Sequence, residues 1–326
     1  MTSSTASNSW LNRAKRTWPF SLLYGAISPS GRARLRRTVD RLSAPSVHHE
    51  ILAQVGQTND LLARLLYEQL RLSPRATDTT RLLHHGYKVY SQHDEDGIIE
   101  EIFRRVGSTN RYFVEFGAGD GLENCTLYLV LKGWRGAWID GSAVCHEMIQ
   151  RNLESVIREG RLRARHALIT AENIEHLFRE LDVPAEFDLL SIDIDRNDYW
   201  VWRAIAAWRP RVVAIEYNAS FGPTASCVVP YDPYAVWNLT NWFGASLKAL
   251  EHLGREKGYS LVGCNLTGVT AFFVRRDLAE GQFAAPFTAE NHFESAKYFL
   301  RMPNGHRPGF GATVCVGPDA GASDSP

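Results

Sequence analysis

The sequence predicts an α/β fold: a mostly parallel sheet covered by helices on both faces and closed by an antiparallel hairpin. Three observations carry this. Short apolar runs alternate with helical stretches, as in a chain of strand–helix crossovers. The first run, "YFVEF", passes directly into a turn with glycine at every second position, Gly117, Gly119 and Gly121. After the alternation stops, one helix and two β-rich runs joined by a short turn complete the domain.

In order, residues 48–72 place Val55, Leu62, Leu65, Leu66 and Leu72 at spacings of three, four and seven, which predicts a helix with a short coiled-coil seam. Packing on the main domain and homodimerisation through 48–72 both fit it. Pro74 and "RATDTT" read as a linker. "SQHDEDGIIEEIFRRVG" is an amphipathic helix stopped by Gly107, whose acids Asp94, Glu95 and Asp96 suit a solvated helix start. The strands are "YFVEFGA", "GAWIDG", "RARHALI", "FDLLSIDID" and "RVVAIEYN", with helices between them. Residues 219–245 are rich in aromatics, proline and small residues, which marks a functional loop or lid. "SLKALEHLGREKG" is a helix, and "YSLVGCN" with "VTAFFVRR" forms the hairpin. The division is a basic tail over 1–47, a helical extension and linker over 48–80, the main domain over 81–310 and a flexible tail over 311–326.

A formal net charge of zero over 326 residues argues against a whole-protein grip on nucleic acid. Five scattered cysteines without a CxxC pair fit a reducing compartment and no zinc site. "WPFSLLYGAI" is too short to span a bilayer and lacks the flanks of a secretory signal, so the expected location is cytoplasmic. The first 48 residues hold eight Lys and Arg side chains against Asp40 alone, interleaved with Trp10, Trp18 and Phe20. Two readings stay open for this segment: a solvated tail, and peripheral contact with an anionic membrane surface.

A strand that runs into glycines at the start of a helix lets backbone approach a ligand closely. In an open parallel sheet, ligands bind outside the carboxyl ends of the strands. Asp140 closes the next strand 19 residues after Gly121, near the spacing of an acid that binds ribose hydroxyls. A nucleoside-containing cofactor is therefore expected. The pattern E-x-G-x-G-x-G differs from the G-x-G-x-x-G of nicotinamide folds. Glu115 in the strand and Asp120 in the turn place negative charge where a pyrophosphate would sit, and so favour S-adenosylmethionine, whose methionine end carries ammonium and sulfonium. A parallel sheet ending in an antiparallel pair agrees with a Rossmann-like class I methyltransferase.

"SQHDEDGIIEEIF", "YFVEFGAGDGLENCTLYLVLKGWRGAWIDGS", "LLSIDIDRNDYWVWRAI", "PRVVAIEYNASFGP" and "GYSLVGCNLTGVTAFFV" together resemble the FkbM-type S-adenosylmethionine-dependent methyltransferases over roughly residues 88–280. The resemblance implies a seven-stranded Rossmann-like sheet and methyl transfer, often to a hydroxyl of a sugar, polysaccharide or related small molecule. It implies that Glu115, Gly117, Gly119 and Asp120 hold the methionine part and Asp140 the ribose, and that the segment around His166 and Ala167 flanks the adenine; Gly121 is expected among the cofactor-binding residues. Asp193 is expected beside the cofactor.

"SIDIDRND" puts Asp193 and Asp195 on one side of a strand end, and "VVAIEYN" does the same with Glu216 and Asn218. Buried carboxylates converging at one sheet edge need a partner, and hard oxygen ligands suit Mg²⁺ or another divalent cation. A metal site from Asp193, Asp195, Glu216 and Asn218 is one expectation; helix capping and substrate hydrogen bonds without metal, with Asp198 as an N-cap, are the other. Candidate bases are His166, His93, Asp193 and Asp195. The loop aromatics Phe221, Tyr231, Tyr234, Trp237, Trp242 and Phe243 either stack on a sugar or pack the loop. Rival functions are a nicotinamide-dependent oxidoreductase and a non-catalytic binding protein that keeps the fold.

Overall fold

The computed structural model describes residues 47–300 and 306–317, together with residues 28, 30, 31 and 34. Most of the basic segment at 1–47 and the residues after 317 lie outside the described residues. The chain divides into two compact units, residues 1–62 and 63–326. Residues 47–62 of the first belong to helix α1, Val47–Arg71. Val55, Leu62, Leu65, Leu66 and Leu72, the residues of the expected seam, are exposed. Within the second unit, Tyr67 and Leu70 of the same helix pack against Ala76, Leu83 and Leu266.

The second unit is built on β1 (Tyr112–Phe116), β2 (Arg135–Asp140), β3 (Leu162–His166), β4 (Glu186–Ile192), β5 (Arg209–Glu216), β7 (Tyr259–Cys264) and β8 (Thr270–Arg275). Their order is β3-β2-β1-β4-β5-β8-β7. All neighbours from β3 to β5 run parallel, and β8 is antiparallel to both β5 and β7. This is the Rossmann-like order of class I methyltransferase sheets. The strand order reverses at β1, which lies between β2 and β4, and the switch point between β1 and β4 is where such sheets open a crevice at their carboxyl edge. A separate pair, β6 (Cys227–Val228) with β9 (Val314–Cys315), binds part of the expected C-terminal tail to the lid region.

Alternation along β1 assigns its residues to two apolar layers. Val114 and Phe116 join one with Phe178, Phe187 and Trp202; Phe113 joins the other with Ile98, Leu127 and Trp138. Glu115 therefore points toward the second layer. Helix α2 (Glu95–Val106) buries Ile98, Ile99 and Ile102 there and ends at Gly107, whose φ of 68° is in the left-handed region. Helix α3 is Leu127–Leu131, α4 Ala143–Asn152, α5 Glu154–Arg158, α6 Ile174–Glu180, α7 Asp198–Ala204 and α8 Leu247–Glu256. Among the described residues no helix is long and apolar enough to cross a membrane.

Asp94, Glu95 and Asp96, read as a solvated helix start, are instead buried, each at most 2 % exposed. Asp96 Oδ2 accepts from the backbone N–H groups of Val89, Tyr90 and Ser91 at 2.7–2.9 Å. Glu95 Oε1 accepts from Asn265 Nδ2 at 2.7 Å and Thr270 Oγ1 at 3.1 Å, which ties α2 to the hairpin. The difference has a physical source: these acids satisfy backbone donors of a loop that a linear reading cannot fold back.

Candidate active site

A cavity of about 600 Å³ opens at the carboxyl edge of β1, β2 and β4. Two of the three glycines line it, Gly117 and Gly119. Gly117 has φ +71°, and a Cβ there would stand 1.7 Å from the carbonyl oxygen of Asp193. The ends of β1 and β4 approach that closely only because the residue is glycine. Gly119 has φ +58° and open space where a Cβ would point. Gly121 lies outside the cavity lining; its close neighbour is the Trp138 ring, 2.8 Å from a would-be Cβ, so it serves packing.

Asp140 lines the same cavity at the end of β2. Its Oδ2 accepts from Gly119 N at 2.8 Å and its Oδ1 from Ser142 N at 2.7 Å. The acid thus ties the glycine turn to the next turn and retains lone pairs toward the cavity. Glu115 is buried and framed by donors. Asn124 Nδ2 (2.6 Å) and Thr126 Oγ1 (2.6 Å) donate to Oε2, and Cys125 N (2.8 Å) donates to Oε1. Thr126 N and Ser191 Oγ add longer bonds. Burial pushes the Glu115 carboxyl upward, and these donors oppose it. Glu115 therefore organises the 124–126 turn ahead of α3 while part of it borders the cavity.

Several expected donor-site residues lie elsewhere. Asp120 Oδ1 accepts from Leu122 N at 2.9 Å, closing its own turn, and Asp120 does not line the cavity. His166 sits at the outer edge, its Nε2 3.1 Å from Gly141 O and its ring beside His146. Ala167 donates its N–H to Asp140 O. Neither His166 nor Ala167 lines the cavity; Leu168 and Ile169, next along the chain, do. The strand expected to run on to Ile169 ends at His166, and the segment that enters the cavity begins at Leu168, one residue after Ala167. Gln92, ahead of α2, and Glu95, its first residue, also line the cavity, although the sequence gives Gln92 no role and Glu95 only that of a solvated helix start. The clue was the acid run before that helix, which sequence alone could not bring to the sheet edge.

A second cavity of about 330 Å³ adjoins the first. Asp193, Asp195, Gln92 and Trp237 line both. The second also has Glu216 on its floor and Phe243, Tyr298 and His306 on its walls. Each of Asp193, Asp195 and Glu216 offers an oxygen, and these oxygens lie within 4.8 Å of one another. Asp195 holds φ +64°, a strained conformation for a residue with a Cβ. Burial, then the charges of Asp195 and Asp198, push the Asp193 carboxyl well upward. Burial, then Asp193, Asp195 and Asp198, does the same to Glu216, whose Oε2 is buried without a hydrogen-bond partner. Asp195 reaches solvent through the cavity mouth, and burial still raises it.

Asn218 is not part of this group. It is fully buried, and its Nδ2 donates to the carbonyls of Asn241 (2.8 Å) and Phe243 (2.9 Å) while Oδ1 accepts from Ser220 N. It positions the loop that carries Trp237 and Phe243. Asp198, expected as an N-cap, accepts instead from Ile194 N at 2.9 Å, and burial pushes its carboxyl up to about 7. Of the candidate bases, His93 lines the second cavity and His166 neither. Of the loop aromatics, Trp237 and Phe243 line it; Tyr231 bonds Glu172, and Trp242 packs against Phe221 and Phe310.

No family model and no curated protein matches the chain. Solved structures with partial likeness include geranyl diphosphate C-methyltransferase from Streptomyces coelicolor A3(2), at 13% identity over 38% of this chain and 45% of that one, TM-score 0.26. A putative O-methyltransferase from Klebsiella pneumoniae gives 15% identity over 54% and 79%, TM-score 0.33. The N-terminal domain of EvdMO1 with SAH bound gives 14% over 65% and 94%, TM-score 0.37. The chain thus spans under half the length of the first of these. The fold is that of a class I methyltransferase. Strand order and the antiparallel β8 carry that statement, and the activity is a separate matter.

Proposed function

We propose that this protein is an S-adenosylmethionine-dependent O-methyltransferase whose acceptor is a neutral hydroxylated ring, of the sugar or polyol kind. The observation that carries the reading is the pair of adjoining cavities that share Asp193 and Asp195. The larger suits the donor: Asp140 faces the ribose position, Leu168 and Val236 offer apolar surface for the adenine, and the acids Glu95, Glu115 and Asp193 suit a cationic methionine end. S-adenosylmethionine supplies an electrophilic methyl group when bound. The smaller suits the acceptor. Its lining holds acids and aromatic rings and, among the described residues, no Lys or Arg. Phosphorylated or carboxylated rings would meet like charge there, whereas a neutral ring face fits Trp237 and Phe243.

Asp193, Asp195 and Glu216 have the oxygen chemistry and spacing for Mg²⁺ or another divalent cation, and the unpartnered Glu216 Oε2 favours such a partner. A bound cation would lower the pKa of an acceptor hydroxyl. The chain's own contribution is to hold the hydroxyl between the cavities and to receive its proton at the Asp193–Asp195 pair. Calorimetry with S-adenosylhomocysteine and with NAD tests the donor; binding of NAD alone would refute it. A screen of neutral nucleotide-free glycosides and sugar phosphates with labelled donor tests the acceptor. Unchanged turnover in excess chelator would remove the metal from the scheme.

A further inference from the structure

Residues 306–317 cross the lid region. Asn241 N donates to Arg307 O at 2.8 Å, Gly309 N donates to Asn241 Oδ1 at 2.7 Å, and the Phe310 and Trp242 rings lie 6.1 Å apart. His306 at the start of this strap stacks on Tyr298 at 4.1 Å, in the wall of the smaller cavity. The strap ends in β9, whose ladder with β6 has only two residue pairs, Cys227↔Cys315 and Val228↔Val314. So short a ladder is a weak anchor.

Cys227 and Cys315 are free thiols placed directly opposite each other. The backbone of Cys227 faces away from β9: its N–H donates to Ser246 Oγ at 3.1 Å and its C=O accepts from Ser246 N at 2.9 Å. Its neighbour Ser226 faces β9, accepting from Val316 N at 3.2 Å. Cys227 and Cys315 therefore form a non-hydrogen-bonded antiparallel pair. In such pairs the Cα atoms are about 4.5 Å apart and the side chains share one face. Disulfides form across Cα separations of roughly 4.4–6.8 Å, so the pair needs little backbone movement.

We propose that Cys227 and Cys315 are a reversible disulfide site that fixes the 306–317 strap to the lid. The oxidant is a low-molecular-weight disulfide of the glutathione class. Cys315, the exposed partner, loses its proton to water and attacks one sulfur of the small disulfide, releasing one small thiol. Cys227 then attacks the Cys315 sulfur of the mixed disulfide and expels the second small thiol. Two protein thiols are oxidised and one small disulfide is reduced to two thiols. Burial raises the Cys227 thiol, which assigns the first attack to Cys315. The site is independent of the methyl-transfer reading and stands or falls without it.

The test incubates the full chain with oxidised glutathione and maps peptides without reduction. A Cys227–Cys315 linked peptide is expected, with loss of two of the five thiols titrated in denaturant and recovery with dithiothreitol. C315S and C227S should each abolish the link. A map with glutathione on Cys315 and no link, or with a link through another cysteine, overturns the proposal. Phe310, 98 % exposed, reports on the strap. Chymotryptic cleavage after it should slow about tenfold or more on oxidation, since cutting needs local opening. Equal rates before and after oxidation overturn the fixing of the strap.

Discussion

Replacing Gly117 and Gly119 separately by alanine separates conformational strain from steric approach. Both glycines have positive φ, 71° and 58°, so alanine at either carries the left-handed penalty of about 1–2 kcal/mol. The second contribution differs. At Gly119 the new methyl meets nothing within 4 Å. At Gly117 it would stand 1.7 Å from Asp193 O, so the ends of β1 and β4 must part by more than an ångström. Overpacking of this kind adds about 1–3 kcal/mol, because backbone rather than a flexible side chain has to yield. G119A should therefore lose about 1–2 kcal/mol, and G117A about 2–5 kcal/mol. G117A should also weaken S-adenosylhomocysteine binding more, since it displaces Asp193 from both cavities. Urea unfolding and calorimetry measure the two effects. Equal unfolding free energies for G117A and G119A would refute the close approach of the two strand ends.

Other outcomes follow from the same geometry. E115Q should destabilise by about 2–4 kcal/mol, because an amide NH₂ turns one set of acceptor bonds at the 124–126 turn into donor against donor; a urea midpoint like that of the parent would show that Glu115 does not organise the turn. Asp94 and Asp198 both rise from 3.8 to about 7 through burial. The native state then holds protons that the unfolded chain releases, so their stabilisation is complete below about pH 4 and is lost as pH rises to about 7. Glu101 works oppositely: held at about 2, chiefly by Arg104, it stabilises above the unfolded value near 4.5 and ceases to as pH falls to about 2. Unfolding free energy without ligand should thus decline between pH 5 and 7.5, and D198N should flatten the slope; a rise over that range would contradict the raised acids. N218A leaves the Asn241 and Phe243 carbonyls without a donor and should cost about 2–3 kcal/mol and raise the acceptor KM more than it lowers kcat; an unchanged KM would show that the loop keeps its place without Asn218.

The strand and helix sequence was legible because the inner strands are contiguous apolar runs; the edge strand β3, with Arg163, Arg165 and His166, is the exception. Gly117, Gly119, Asp140, Asp193, Asp195 and Glu216 stand at strand ends, so the sheet carries them to one edge. Residues whose role depends on a returning loop were not legible. Glu115 reads only as a ligand for a cation, and its second role, holding the 124–126 turn, shows only when that turn is seen to surround it. Asn218 reads as a metal ligand until its amide is found on the 241–243 backbone.

By itself the sequence determined the alternation of strands and helices, the glycine turn and the acids at the strand ends, all features of local pattern. The tertiary structure alone decided which acids face each other. It withdrew His166 and Asp120 from the cavity, placed Gln92 and Glu95 in it, and set Cys315 opposite Cys227. Those pairings join segments distant along the chain, and no local pattern encodes a contact that only packing creates.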